Sequence, residues 1–101
     1  MARIAAAVLL TLSACSVSRP EPGDSGEEIY RQLCSNCHGI FLEGSTLGPA
    51  LGPGSNSADQ PDSFIEFAIV NGKGSMPSFE ASLHEGQVDL LVEYIREVQS
   101  G

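Results

Sequence analysis

Three stretches of the chain repeat apolar residues at helical spacing, and the segments between them do not. The clearest lies near the end: Val88, Leu91, Val92, Ile95 and Val98 follow i, i+3, i+4, i+7 and i+10 between Gln87 and Val98. Asp89, Glu93 and Glu97 occupy the other side, which predicts an amphipathic helix with one wet face. Residues 26 to 33, "GEEIYRQL", gather Ile29, Tyr30 and Leu33 on one face. Glu27 and Glu28 stand in the first turn there, where the helix dipole favours negative charge. Residues 62 to 70, "DSFIEFAIV", are apolar on most sides, as a short buried helix is. The run stops at Asn71-Gly72, a C-terminal signal.

Nothing alternates with period two for long enough to make a strand, so the fold class is all-α. "GSTLGPALGPGSNSADQP" and "NGKGSMPSF" are loops, rich in Gly, Pro, Ser and Asn. Loops of that length usually wrap something. At the other end, "MARIAAAVLLTLSAC" places Arg3 before an uncharged apolar run over residues 4 to 12. That run is too short to span a bilayer but suits the core of a signal peptide. Residues 16 to 25, "SVSRPEPGDS", are polar, carry two prolines and a glycine, and show no apolar period. They read as a flexible linker, which fully extended reaches roughly 33–36 Å. The predicted organisation is a removable signal at 1–14, a linker segment at 15–25 and one folded domain at 26–101.

Composition adds two constraints. Without residues 1 to 14 the chain keeps four basic residues (Arg19, Arg31, Lys73, Arg96) against thirteen acidic, a net charge of −9. Nucleic-acid phosphates would be repelled, and a protein partner is expected to dock through a basic patch. With four Phe, two Tyr and no Trp, the chain alone builds a thin core. Something else is expected to fill the middle.

"CSNCHG", residues 34 to 39, holds two of the three cysteines and one of the two histidines. A redox dithiol of this spacing belongs at the end of a strand opening a helix, and no strand is predicted. Structural zinc needs four ligands, and beyond Cys34, Cys37 and His38 only His84 is left to complete the set. Haem fits better. Two thiols one helical turn apart can add to the two vinyl groups of one porphyrin, with His38 then lying under the iron. In the loop "GKGSMPSF", Met76 offers a soft thioether, and a His/Met iron is the cytochrome c arrangement. "GKGS" does not complete a phosphate-binding loop, because Phe67 and Gly74 stand where Gly and Ser or Thr are required.

From Gly26 to Val98 the sequence resembles class I cytochrome c. Gly26 and Tyr30 match the small residue and aromatic of the family's first helix, and Cys34, Cys37 and His38 its attachment motif. Gly48-Pro49 matches the pair whose proline carbonyl, in the family, accepts a hydrogen bond from the proximal imidazole. "NGKGSMPSF" matches the methionine loop, and Leu91 and Tyr94 the Leu-x-x-Tyr of a last helix that crosses the first. The resemblance implies three to five short helices wrapped around one covalent haem c, bound through Cys34, Cys37, His38, Met76 and Pro49. It implies a one-electron carrier, not an enzyme, with redox protein partners and no small-molecule substrate. A haem subunit fixed in a larger oxidoreductase is the alternative, or a peroxidase-like enzyme if Met76 is displaceable. His84 departs from the Ser or Thr of many small relatives, which leaves two alternatives: a capping box from Ser82 to Glu85 one turn earlier, or a poor cap by His84.

Leu12-Ser13-Ala14-Cys15 resembles the lipobox of bacterial lipoproteins, which implies a lipidated Cys15 as first mature residue. The expected location is the bacterial cell envelope, lipid-anchored and facing the periplasm or exterior. Ser16 rather than Asp after the cysteine leans towards the outer membrane in a Gram-negative host.

Overall fold

The computed structural model describes residues 19–101. The signal segment, Cys15 and the start of the linker lie outside them. Helix α1 (Gly26–Leu33) begins with a capping box: the Ser25 hydroxyl accepts from the Glu28 N–H at 3.1 Å, and the Glu28 carboxylate accepts from the Ser25 N–H at 2.8 Å. A single turn, α2 (Ser35–His38), follows directly, its start tied to α1 by Cys34 N–H donating to Tyr30 O at 2.8 Å. Helices α3 (Asp62–Asn71) and α4 (Gln87–Ser100) complete the set, with 3-10 turns at Asn56–Asp59 and Glu80–Ser82. Among the described residues the fold is all-α, broken only by an isolated antiparallel bridge between Lys73 and Met76. Periodicity located α1, α3 and α4 to within two residues at each end. It missed α2, which is too short to show a period.

The core lies where α1, α3 and α4 meet. Ile29, Tyr30, Ile65, Ile69, Leu91, Val92 and Ile95 are buried there, together with Leu42 from the loop after α2. Neither α1 nor α4 can bury its stripe alone, so the two helices cross. Gly26 sits at the crossing: a Cβ on it would lie 2.3 Å from Leu90 O and 2.9 Å from Tyr94 Cβ. The Tyr30 and Tyr94 rings meet at 5.6 Å with a 52° tilt. The Tyr30 hydroxyl donates to Gly39 O at 2.7 Å, which connects the crossing to the loop beyond α2. Burial, with Cys34, Tyr94 and Glu43 nearby, holds that phenol well above its ordinary range, so it stays a donor.

Two expectations are corrected. The flexible linker at 15–25 is, from Arg19 onwards, a strap packed on the domain. Pro20 is fully buried, its carbonyl lies 3.1 Å from His84 Nε2, and Glu21 O accepts from Gln87 Nε2 at 2.7 Å. Arg19 donates to Ala81 O at 3.2 Å. Prolines suit such a strap because they have no N–H to leave unpaired when buried. The Ser82–Glu85 capping box does not form. Ser82 ends a separate 3-10 turn, Gly86 takes the left-handed conformation before α4, and Gln87 Oε1 reaches back to the His84 N–H at 2.9 Å.

Gly26→Ala separates sterics from propensity. Helix propensity alone predicts a gain of about 1 kcal/mol. The backbone carbonyl at the crossing predicts the opposite, a loss of about 1–3 kcal/mol as the helices are forced apart. Denaturant unfolding of the two proteins should show the loss, and a neutral or stabilising result would mean that α4 yields at Leu90.

Candidate cofactor site

The single turn of α2 sets three side chains close together. Cys37 and His38 both return their N–H groups to Cys34 O, at 3.2 and 3.0 Å. Gly39, at φ +92°, then reverses the chain. The following loop folds back on the turn: Gly44 N–H reaches His38 O at 2.7 Å, the Ser45 hydroxyl reaches Cys37 O at 2.7 Å, and Ser45 N–H reaches Gly48 O at 2.9 Å. This brings Pro49 O to 2.7 Å from His38 Nδ1. A carbonyl only accepts, so Nδ1 carries the proton and the neutral ring keeps its lone pair on Nε2. Nε2 has no hydrogen-bond partner among the described residues. Gly48 makes the approach possible, since a Cβ there would stand 3.1 Å from the imidazole and from Cys37 O.

Met76 is placed by the end of α3. The helix stops at Gly72, φ +81°, and Lys73 and Met76 exchange both backbone hydrogen bonds, at 3.0 and 2.9 Å, around Gly74. A Cβ on Gly72 would lie 2.6 Å from Met76 O, so the turn closes only with glycine. Beyond Pro77 the chain is pinned back on α3, with Phe79 N–H on Ile69 O at 2.9 Å and the Ser78 hydroxyl on Val70 O.

Cys34, Cys37, His38, Pro49 and Met76 all line one cavity of about 450 Å³, within the usual range for cofactor sites. Leu33, Leu51, Phe64, Ile65, Ile69 and Phe79 supply apolar walls. The structure thus brings together every site residue predicted within 19–101, while Cys15 lies outside the described residues. A second hollow of about 630 Å³ over the α1–α4 crossing is shallow and lined by Glu27, Glu93, Arg96 and Glu97, with no cysteine, histidine or methionine in its wall.

The surroundings discriminate between the three chemistries open to the motif. Burial, with Cys37 beside it, pushes the Cys34 thiol up to about 12. A dithiol oxidoreductase needs the reverse, a thiol held low enough to ionise. Zinc lacks its ligands: among the described residues no three His, Cys, Asp or Glu side chains are grouped to hold a metal ion. His84 is engaged with the strap instead. A flat apolar porphyrin suits the rest, namely a greasy cavity, two thiols on its wall, an imidazole with Nε2 unpaired and a thioether.

Three supporting residues escaped sequence reasoning. Arg96 directs Nε to Asp62 at 2.8 Å, Nη1 to Ser57 O at 3.1 Å and Gln99 Oε1 at 2.8 Å, and Nη2 to Gln60 O. Gln99 in turn donates to Leu51 O at 2.9 Å and Ser57 Oγ at 3.1 Å. Together they fasten the Asn56–Asp59 turn and Leu51, both at the cavity wall, to α4. In the sequence Arg96 is one charge among many on a polar helix face. Leu42 is buried at φ +60°, a conformation few branched residues adopt, with its carbonyl accepting from Leu51 and Gly52 N–H. No residue-type signal marks it.

Known proteins match this arrangement. A family model described as "Cytochrome C oxidase, cbb3-type, subunit III" matches residues 21–95. Cytochrome c6 of Euglena viridis is 30% identical over 81 residues, covering 76% of this chain and 93% of its own. Cytochrome c-551 of Bacillus subtilis is 46% identical over 52 residues, covering 52% of this chain and 44% of its own. Among solved structures, the KustC0563 c-type cytochrome superposes with a TM-score of 0.67 at 26% identity, covering 75% of this chain and 99% of that one. With the family matched over most of its length and the attachment turn facing an apolar cavity, the chain belongs to that family and is a class I c-type cytochrome.

Proposed function

We propose that this chain is a one-electron carrier holding a single covalent haem c, tethered to a membrane surface. The observation that carries the reading is that His38 and Met76, one from the α2 turn and one from the loop after α3, line the same apolar cavity as the Cys34–Cys37 pair. When bound, the haem supplies a one-electron Fe(III)/Fe(II) couple. Cys34 and Cys37 would hold it covalently through their sulfurs, and His38 would offer Nε2 to the iron. Pro49 O keeps the imidazole ring in place. Met76 would offer its sulfur as a further ligand, and thioether ligation with burial from water would favour the reduced state. Were His38 and Met76 both bound to the iron, oxygen and peroxide would find no open site, the arrangement of a carrier rather than an enzyme. Ile40 and Phe41, exposed beside the attachment turn with Glu43 next to them, offer an apolar docking contact for a redox partner with a basic rim.

The anchor in this reading is lipid on Cys15, facing the periplasm or cell exterior, at the outer membrane where the host is Gram-negative. c-type cytochromes work outside the cytoplasm, and no helix among the described residues is long and apolar enough to cross a membrane. Because the strap is packed from Arg19 on, only residues 16 to 18 separate it from Cys15. Four steps of chain reach at most about 14 Å, far less than the full linker would. A domain held that close meets partners in the same membrane. This also favours the second reading, a haem subunit of a larger oxidoreductase, as the description of the matched family does.

Two substitutions test the proposal. Met76→Ala should abolish the weak red-end band of Fe–S(Met) in the oxidised spectrum, lower the midpoint potential and let cyanide or imidazole bind. A band that survives the change would assign the sixth ligand elsewhere. Cys15→Ser should move haem-loaded protein from the membrane to the soluble fraction, or block its maturation. Unchanged size and membrane retention would show that another element is the anchor.

A further inference from the structure

Lys73 is the one charged side chain lining the cavity that holds Cys34, Cys37, His38 and Met76. Its Nζ lies 5.6 Å from the centroid of the Phe64 ring, and Phe64 lines the same cavity. The side chain, though exposed, is thus anchored at its root and attracted at its tip. The paired backbone bonds to Met76 hold its root, and the aromatic face attracts its tip. Among the described residues no carboxylate pairs with it, the ion pairs being Arg31–Glu27 and Arg96–Asp62. That is unexpected in a chain of thirteen acidic and five basic residues, where a surface cation readily meets a carboxylate. Arg96 is not free to take its place, since its donors are engaged by Asp62, Ser57, Gln60 and Gln99. No Asp or Glu lines the cavity either. The cavity is therefore built to receive a negative charge, with one cation held at its wall.

A haem carries two propionate carboxylates. We propose that the Lys73 ammonium, poised over Phe64, pairs with one of them and is its counter-charge in this protein. The inference rests on the haem reading above. A cation at a propionate reduces the negative potential at the iron. It therefore favours the reduced, more electron-rich state and sets the midpoint potential higher than the ligands alone would. Lys73 is exposed, so added salt weakens the influence of such a pair.

The test compares the full-length holoprotein with Lys73→Met and Lys73→Arg by redox titration at low and high salt. Their oxidised spectra are followed in parallel. The pairing predicts a lower midpoint potential for Lys73→Met, by more at low salt than at high salt, a potential near wild type for Lys73→Arg, and an intact red-end Met76 band in both. A wild-type potential in Lys73→Met overturns it, and slowed electron transfer to an acidic partner would then reassign Lys73 to docking. Loss of the Met76 band, or an equal fall in Lys73→Arg, also overturns it, because the effect would then run through the loop rather than the charge. Failure of the haem reading is a separate result, since the wild-type chain would then give no redox wave at all.

Discussion

The hydrogen bond from His38 Nδ1 to Pro49 O is the contact on which the rest of the structure depends. It fixes one tautomer and one ring orientation, leaving Nε2 as a lone pair for the iron. Most of the loop from residue 39 to 49 exists to make it. Gly39 turns the chain back at positive φ, Ser45 braces the turn through Cys37 O, and Gly48 stays small so that the imidazole can pass. Leu42 takes up the strain of that tight return, held by burial in the core and by two N–H donors on its carbonyl. An imidazole held this firmly has its ring orientation set in advance.

The same logic governs the other wall. Helix α3 ends where glycine permits a turn, and the exchanged bonds of Lys73 and Met76 present the thioether at a fixed height. The α1–α4 crossing supports both walls from behind. Gly26 sets the distance between the two helices, Tyr30 links the crossing to Gly39, and Arg96 with Gln99 ties the far wall to α4. Stability and function are thus joined. The polypeptide closes around a hollow rather than upon itself, and that hollow is the place where a thin core receives its missing apolar body.

What the sequence revealed follows from how local each feature is. The attachment turn, the methionine loop and the three periodic helices are written in consecutive residues, so the cavity's principal side chains were legible before any coordinates. Pro49 was legible only through family resemblance, because nothing in a Gly-Pro pair says which carbonyl an imidazole will choose. Arg96, Gln99 and Leu42 were hidden, since their roles are contacts between distant segments and their residue types look like ordinary surface or core. The strap failed for the opposite reason. Its composition is that of a linker, yet Pro20 has an apolar ring and no N–H, and those are the properties that let it be buried against His84 and Gln87.

That strap changes the picture of the protein's reach. With the strap buckled to α4 from Arg19 onwards, the free segment before the domain is shorter than its composition alone implies. All of this presupposes that the cavity holds a haem joined to Cys34 and Cys37. The most direct measurement is the intact mass of the mature protein after acid–acetone extraction under denaturing conditions. The account predicts a polypeptide that keeps the added mass of one haem. A chain at its bare polypeptide mass, with the haem in the organic phase or with none present, would contradict it.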